Sequence, residues 1–277
     1  MNNSLFSAWV RKTEDFIFFL VIIGLNSCEK EDVNPDTCQD SSKIRQVKTD
    51  TMVWEEMTYT ENCLLHEFVQ AFSYKKYSYN EKGQLTKIEQ ALTLDPLSCF
   101  MPTGSDGEII TDPRKAKITK YSSFEYDNVG KPAKKTDYYL NGKQFEMLSY
   151  TTYEYGDDRV KELFRHNREG GISEKNTYTY DEKGNIIRDE YYFSDSGAGY
   201  ILMNTKEYVL DDKINPYLIF ENEGIPGIFT NRNNILKSIY TDNYSGDGYT
   251  YTVEYSYEYN ASGFPVKMNN FTFIYGE

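Results

Sequence analysis

Histidine is almost absent from this chain of 277 residues: His66 and His166 are its only imidazoles. Cysteine occurs four times, at Cys28, Cys38, Cys63 and Cys99, with no Cys-x-x-Cys pair. A Ser-His-Asp triad or a zinc centre needs convergent imidazole, thiolate or carboxylate groups. With so few of the first two, no catalytic residue, metal ligand or cofactor site is assigned. Basic residues are also short: 30 Lys and Arg stand against 43 Asp and Glu, a formal charge of −13. No basic stripe interrupts that excess, so nucleic acid is excluded as a partner, because its phosphates would be repelled. Long apolar runs are lacking too. Phe16 to Leu25 (FIFFLVIIGL) is the longest, at ten residues, and a membrane-spanning helix needs about 20.

That run has the length of a signal-peptide apolar region and follows Arg11 and Lys12. It ends in Leu25-Asn26-Ser27-Cys28, which resembles a bacterial lipobox. The resemblance implies cleavage before Cys28 and acylation of its thiol and new N-terminus. Several acyl chains anchor a protein stably where one is marginal. The long, partly acidic stretch before the run departs from the usual pattern. Glu29-Lys30-Glu31-Asp32 looks like the acidic export signal of Bacteroidetes surface lipoproteins. The expected location is therefore the outer membrane, lipid-anchored and surface-exposed, with a periplasm-facing site as the alternative. The expected organisation is a signal peptide over 1–27, a flexible acidic tether over 28–42 and a single domain over 43–277.

Once Cys28 is modified, three cysteines remain, and an oxidising envelope permits one disulfide. A hairpin turning at Asn80–Gly83, with one bulge, brings Cys63 opposite Cys99. The alternative is that the arms break earlier and the thiols stay apart.

Tyrosine is plentiful, with 26 copies, and it is organised. Six segments pair an aromatic residue with an aromatic or aliphatic one two positions on: Tyr77/Tyr79, Phe124/Tyr126, Tyr153/Tyr155, Tyr178/Tyr180, Tyr208/Leu210 and Tyr257/Tyr259. In four, a glycine follows by four positions (Gly83, Gly130, Gly184, Gly263), then a basic residue by four more (Lys87, Lys134, Arg188, Lys267). Such a unit is a β-hairpin. In Tyr180-Asp181-Glu182-Lys183-Gly184, Asp181 starts the turn and Gly184 takes the left-handed position that closes a bulged loop. Tyr249 to Tyr259 reads YTYTVEYSYEY. Period two over that length makes a strand with one dry and one wet face. The fold class is all-β: an antiparallel meander of roughly twelve strands, strongly curved or barrel-like, because a sheet must cover its apolar face. Pro96 to Pro113 is expected as a long loop. Asn215 to Asn234 is expected to be irregular, capping one end of the sheet.

The stretch YTYDEKGNIIRDEYY (178–192) resembles the YD repeats of Rhs and teneurin-type shells. DDKINPY (211–217), NRNNILKSIY (231–240) and YSYEYNASGFPVKM (255–268) are similar to a group of uncharacterised Bacteroidetes lipoproteins, some with a porin-like β fold. The resemblance spans about residues 50 to 275 and implies the fold. It brings no site residue with it.

Two functions remain. The first is a non-catalytic, lipid-anchored binding or structural module, contacting glycans or a protein. The second is an envelope hydrolase built on two carboxylates. Exposed tyrosines would suit sugars, but alternating strand tyrosines mostly pack the dry face. The acids and amides of Asp242 to Gly248 could hold calcium, although a hairpin turn accounts for them more simply. A membrane-spanning barrel needs an apolar outer band, and the Lys and Glu at alternating positions argue against one.

Overall fold

The structure, a computed structural model, describes Cys38 and residues 40–92, 112–195, 199–227, 229–245 and 248–276. Cys28 with its lipobox (Leu25, Asn26, Ser27), Cys99 and most of the segment from Pro96 to Pro113 lie outside the described residues.

Alternation of ring and polar side chains produces strands throughout. They are β1 (Ile44–Lys48), β2 (Val53–Tyr59), β3 (Leu65–Gln70), β4 (Ser73–Tyr79), β5 (Leu85–Leu92), β6 (Ile118–Tyr126), β7 (Pro132–Asn141), β8 (Gln144–Gly156) and β9 (Arg159–Asn167). There follow β10 (Ile172–Tyr180), β11 (Ile186–Asp195), β12 (Gly199–Ile214), β13 (Asn233–Asp242), β14 (Thr250–Glu254), β15 (Tyr257–Tyr259), β16 (Pro265–Met268) and β17 (Phe271–Tyr275). Seventeen strands replace the twelve expected. The extra ones are joined by two-residue turns such as 71–72, 142–143 and 269–270, which lack the glycine-and-basic spacing of the repeat.

Each strand pairs antiparallel with its sequence neighbour except β14 and β15, which share no ladder and follow one another along a single course, and β1 also pairs with β17. The ladder therefore runs round a ring, with one interruption. Among the described residues, β14 pairs only with β13 and β15 only with β16, so the ladder breaks where the backbone passes through Tyr255 and Ser256. A curled sheet leaves few bare edges, which disposes of the edge problem almost everywhere.

Gly83, Gly130, Gly184 and Gly263 lie in four identical turns, with φ of 75°, 89°, 91° and 83°. In each, the N–H of the residue three before the glycine bonds the carbonyl just after it, as Asp181 does with Asn185 at 2.9 Å. The side-chain oxygens of Asn80, Asp127, Asp181 and Asn260 also accept the N–H four residues on, at 2.8–3.0 Å. The strands alternate in direction, so these four turns share one end of the ring. We call it the turn end, and the opposite end the rim.

The same turn recurs at Asn167–Gly171 on the opposite end, and at Thr60–Leu64, where Cys63 takes the glycine position with φ of 55°. Cys63 is bonded to Cys38 there. This corrects the expected Cys63–Cys99 bridge. The chain reverses at 71–72, so Cys63 lies at the turn end, whereas β5 leads its chain away to the rim. The bond also fixes Cys38, which is buried, within the span expected to be a flexible tether.

The core sits on the inner face at the turn end: Ile44, Met57, Tyr59, Leu65, Phe68, Tyr77, Leu85, Ile88, Phe124 and Phe273 pack round Phe220. Phe220 belongs to a 3-10 helix, Pro216–Glu223. The first part of the expected irregular segment is thus a helical insert, started by Asn215, whose side chain accepts the Tyr217 N–H, and ended by Gly224 at φ of 71°, while the described residues from there to Arg232 are irregular as expected.

Candidate functional site: the plugged interior of the ring

Repeat tyrosines form a belt inside the turn end. Tyr79 donates its hydroxyl to the Leu65 carbonyl (2.8 Å), Tyr126 to Leu85 (2.9 Å), Tyr155 to Pro132 (2.6 Å) and Tyr180 to Val160 (2.7 Å). Each acceptor is the ladder partner of the tyrosine ending the preceding descending strand: Leu65 faces Tyr59, Leu85 faces Tyr79, Pro132 faces Tyr126 and Val160 faces Tyr155. Each of these four hairpins is thereby stitched to the one before it, whereas at β15 the Tyr259 hydroxyl meets the Asp211 carboxylate and Tyr257 reaches the Ile235 carbonyl at 3.2 Å. Tyr59 to Ile44 (2.7 Å) and Tyr275 to Pro265 (2.7 Å) continue the pattern. These two escaped the sequence reading. Met57-Thr58-Tyr59 begins with a non-aromatic residue and carries Cys63 in place of glycine.

Leu210 is the exception that shows what the hydroxyl does. The same spacing would assign residue 210 to the Ile186 carbonyl, and leucine has no donor. Asn231, fully buried, takes over: its Oδ1 accepts the Ile186 N–H at 2.7 Å, and its Nδ2 donates to the Ile186 carbonyl at 3.3 Å. Asn185 likewise holds the backbone N–H groups of Arg232 (2.8 Å) and Asn233 (3.1 Å).

The insert crosses the interior and plugs it. Tyr217 donates to Glu55 at 3.1 Å, Phe220 meets Phe68 edge-on at 4.8 Å, and Glu223 accepts from Lys75 (2.9 Å) and Tyr77 (2.6 Å). On the rim side of this plug the inner wall is polar. Asp137 accepts from Ser122 at 2.5 Å with Lys135 at 3.8 Å, and Asp189 accepts from Asn176 at 2.9 Å. Burial pushes the Glu55 and Asp189 carboxyls above the ordinary carboxylate range. Burial also pushes the belt tyrosines up, Tyr155 and Tyr180 to about 12.

The outer face is wet. Ion pairs cover it, along β5 in Lys87–Glu89 (2.6 Å) and from strand to strand in Lys134–Glu125 (3.6 Å), Lys175–Glu162 (3.6 Å), Arg188–Glu207 (3.1 Å) and Lys237–Glu254 (3.7 Å). Lys87, Lys134 and Lys175 also lie over the rings of Tyr121, Tyr150 and Tyr192, about 5 Å from their centres.

Other residues singled out from the sequence serve local structure. His166 is in β9, stacked on Tyr150 at 4.3 Å, with Nε2 2.9 Å from the Thr152 hydroxyl. His66 is in β3. The Asp242 carboxylate receives the Tyr244 and Ser245 N–H groups, as a turn requires; Gly246 and Asp247 lie outside the described residues. Among the described residues, no group of three His, Cys, Asp or Glu side chains is arranged to hold a metal ion. The inner carboxylates Glu55, Asp137, Asp189 and Glu223 are each held by hydrogen bonds to neighbouring side chains.

No family model matches this chain, and no curated protein matches it. Solved structures do. A porin-like protein from Bacteroides vulgatus is 12% identical, with a TM-score of 0.49, over 83% of this chain and 97% of that one. A porin-like protein from Bacteroides uniformis is 13% identical, with a TM-score of 0.37, over 81% and 88%. A protein of unknown function from Bacteroides fragilis is 21% identical, with a TM-score of 0.31, over 46% of this chain and 88% of that one.

Proposed function

We propose that this chain is a lipid-anchored outer-membrane protein, exposed at the cell surface, with a non-catalytic binding or structural role toward a glycan or protein. The observation that carries the reading is the ion-paired outer wall. A strand ring that crossed a bilayer would turn an apolar band outward. Here Lys, Arg and Glu occupy that face. Attachment then falls to acylated Cys28, and Cys38, the first described residue of the domain, is fixed at the turn end by its bond to Cys63. That end faces the membrane in this reading, and the rim faces away. The plug also supports a scaffold over a conduit, since Phe220 and the Lys75–Glu223 pair fill the interior near the turn end.

Radioactive palmitate labelling combined with membrane fractionation tests the anchor. The wild type should label and pellet with membranes. Cys28→Ala should lose the label and appear in the soluble fraction. Equal labelling would refute the lipid, and an unlabelled variant that stays membrane-embedded would instead favour a spanning barrel. Protease treatment of intact cells separates a surface location from a periplasm-facing one.

A further inference from the structure

Among the described residues, β14 presents one side with no strand against it, and it is built from strand-forming residues. β14 reads Thr-Tyr-Thr-Val-Glu, and all five residues are exposed. Its backbone bonds to β13 through alternate residues: the Tyr249 carbonyl accepts the Asp242 N–H at 2.9 Å, and the Tyr255 N–H donates to the Leu236 carbonyl at 2.8 Å. In an antiparallel ladder the intervening residues point their backbone groups the other way. Thr250, Thr252 and Glu254 therefore aim their N–H and C=O groups at the side where β14 has no strand partner among the described residues.

The gap has a cause. The β16–β17 hairpin is short, and its turn at Asn269 (φ of 50°) comes level with Ser256. The Asn269 side chain accepts the Ser256 N–H at 2.9 Å. Pairing on that side stops there, and 250–254 stands above it. Proteins that keep an edge unpaired usually guard it with lysine, proline or a bulge. β14 contains no lysine and no proline, and its register with β13 is regular.

We propose that β14 receives an extended cationic segment of a partner polypeptide, which adds as one more strand to the ring. Charge selects the partner. Glu254 is exposed on the outer side, its side chain 74% accessible although Lys237 of β13 lies 3.7 Å away on the paired side, and the chain carries −13. Lysine or arginine on the outer side of the added strand meets Glu254 from the side opposite Lys237, while apolar side chains lie beside Tyr251 and Val253 on the inner side, both 37% exposed. A second copy of this chain fits less well. Two β14 edges pair antiparallel about a twofold axis, which would point the two Cys38 ends in opposite directions. That step rests on the anchored reading; the edge itself does not.

The geometry supplies a selective test. Proline at 252 removes an N–H that faces the open side and leaves the β13 bonds in place. The probe is a synthetic peptide alternating lysine and valine, titrated against the full chain in detergent, with Cys28→Ala tested alongside. Wild type and Cys28→Ala should both bind, and the same peptide with glutamate for lysine should not. Thr252→Pro should weaken binding about tenfold or more with an unchanged melting point, while Thr252→Val binds normally. Should Thr252→Pro misfold, hydrogen exchange on the wild type decides: bound peptide should protect the Thr252 and Glu254 amides. Equal binding by Thr252→Pro, equal binding of the glutamate peptide, or no added protection would overturn the proposal. So would a dimer that Thr252→Pro abolishes, which would give the edge to a second copy. Loss of palmitate labelling leaves these outcomes untouched, so failure of the anchor and failure of the edge can be told apart.

Discussion

A tyrosine in the belt does two jobs. Its ring fills the dry side of a strand, and its hydroxyl satisfies a carbonyl on the neighbouring hairpin. A net hydrogen bond of this kind contributes about 1 kcal/mol. Tyr126→Phe keeps the ring and leaves the Leu85 carbonyl without its donor, so urea unfolding should show a loss of about 1 kcal/mol. Tyr126→Ala also removes the half-buried ring and should cost about 2 kcal/mol or more. If the two variants lost the same amount, packing would not be the larger part. The pairing of ring with ring two residues on was legible in the sequence because it follows from period two. The hydroxyl's acceptor was not, because it lies on another hairpin whose register depends on a bulge: Ser78 faces Lys87, yet Tyr79 faces Leu85.

At the scale of elements, the glycine turns and the insert explain which parts of the fold could be read in advance. Gly184 adopts φ of 91°, and a Cβ there would lie 2.8 Å from Arg159 Nη2. The left-handed backbone demands glycine, whereas the Arg159 guanidinium ends a flexible side chain that can swing aside, so the sequence signal comes from φ. Gly184→Ala should therefore destabilise by about 1 kcal/mol or more, read from the urea midpoint. The insert carried no comparable signal. Its sequence announces irregularity through Pro216, Pro226 and Gly227, but not that Phe220 enters the ring or that Asn231 replaces a tyrosine hydroxyl. Those facts arise from long-range contacts. Asn231→Ala leaves both the N–H and the C=O of Ile186 unpaired in a buried site. It should cost about 2–4 kcal/mol, more than any single belt hydroxyl. Asn231→Asp can still accept but not donate, and should fall between.

Across the whole molecule, the belt makes stability depend on alkaline pH. The ordinary tyrosine pKa is about 10. Burial raises Tyr155 and Tyr180 to about 12, and raises Tyr79, Tyr126 and Tyr275 as well. A group that ionises more easily unfolded than folded draws the chain toward the unfolded state once the pH passes its unfolded value. The belt's contribution is fully present below about pH 10 and is lost as pH rises through about 12. Because the hydroxyls stitch successive hairpins round the ring, the loss should be shared by all of it. Urea midpoints should hold level from neutral pH to about pH 9 and then fall steeply. Tyrosinate absorbance should rise together with the loss of β-sheet circular dichroism. Tyrosinate absorbance that grew to completion while the sheet remained intact would mean that the hydroxyls are not what joins the hairpins. The Cys38–Cys63 bond closes only the start of the ring, over a separation of 25 residues. Reduction should lower stability by about 3 kcal/mol at every pH, leaving the alkaline slope unchanged, since no belt tyrosine loses its acceptor when that bond opens.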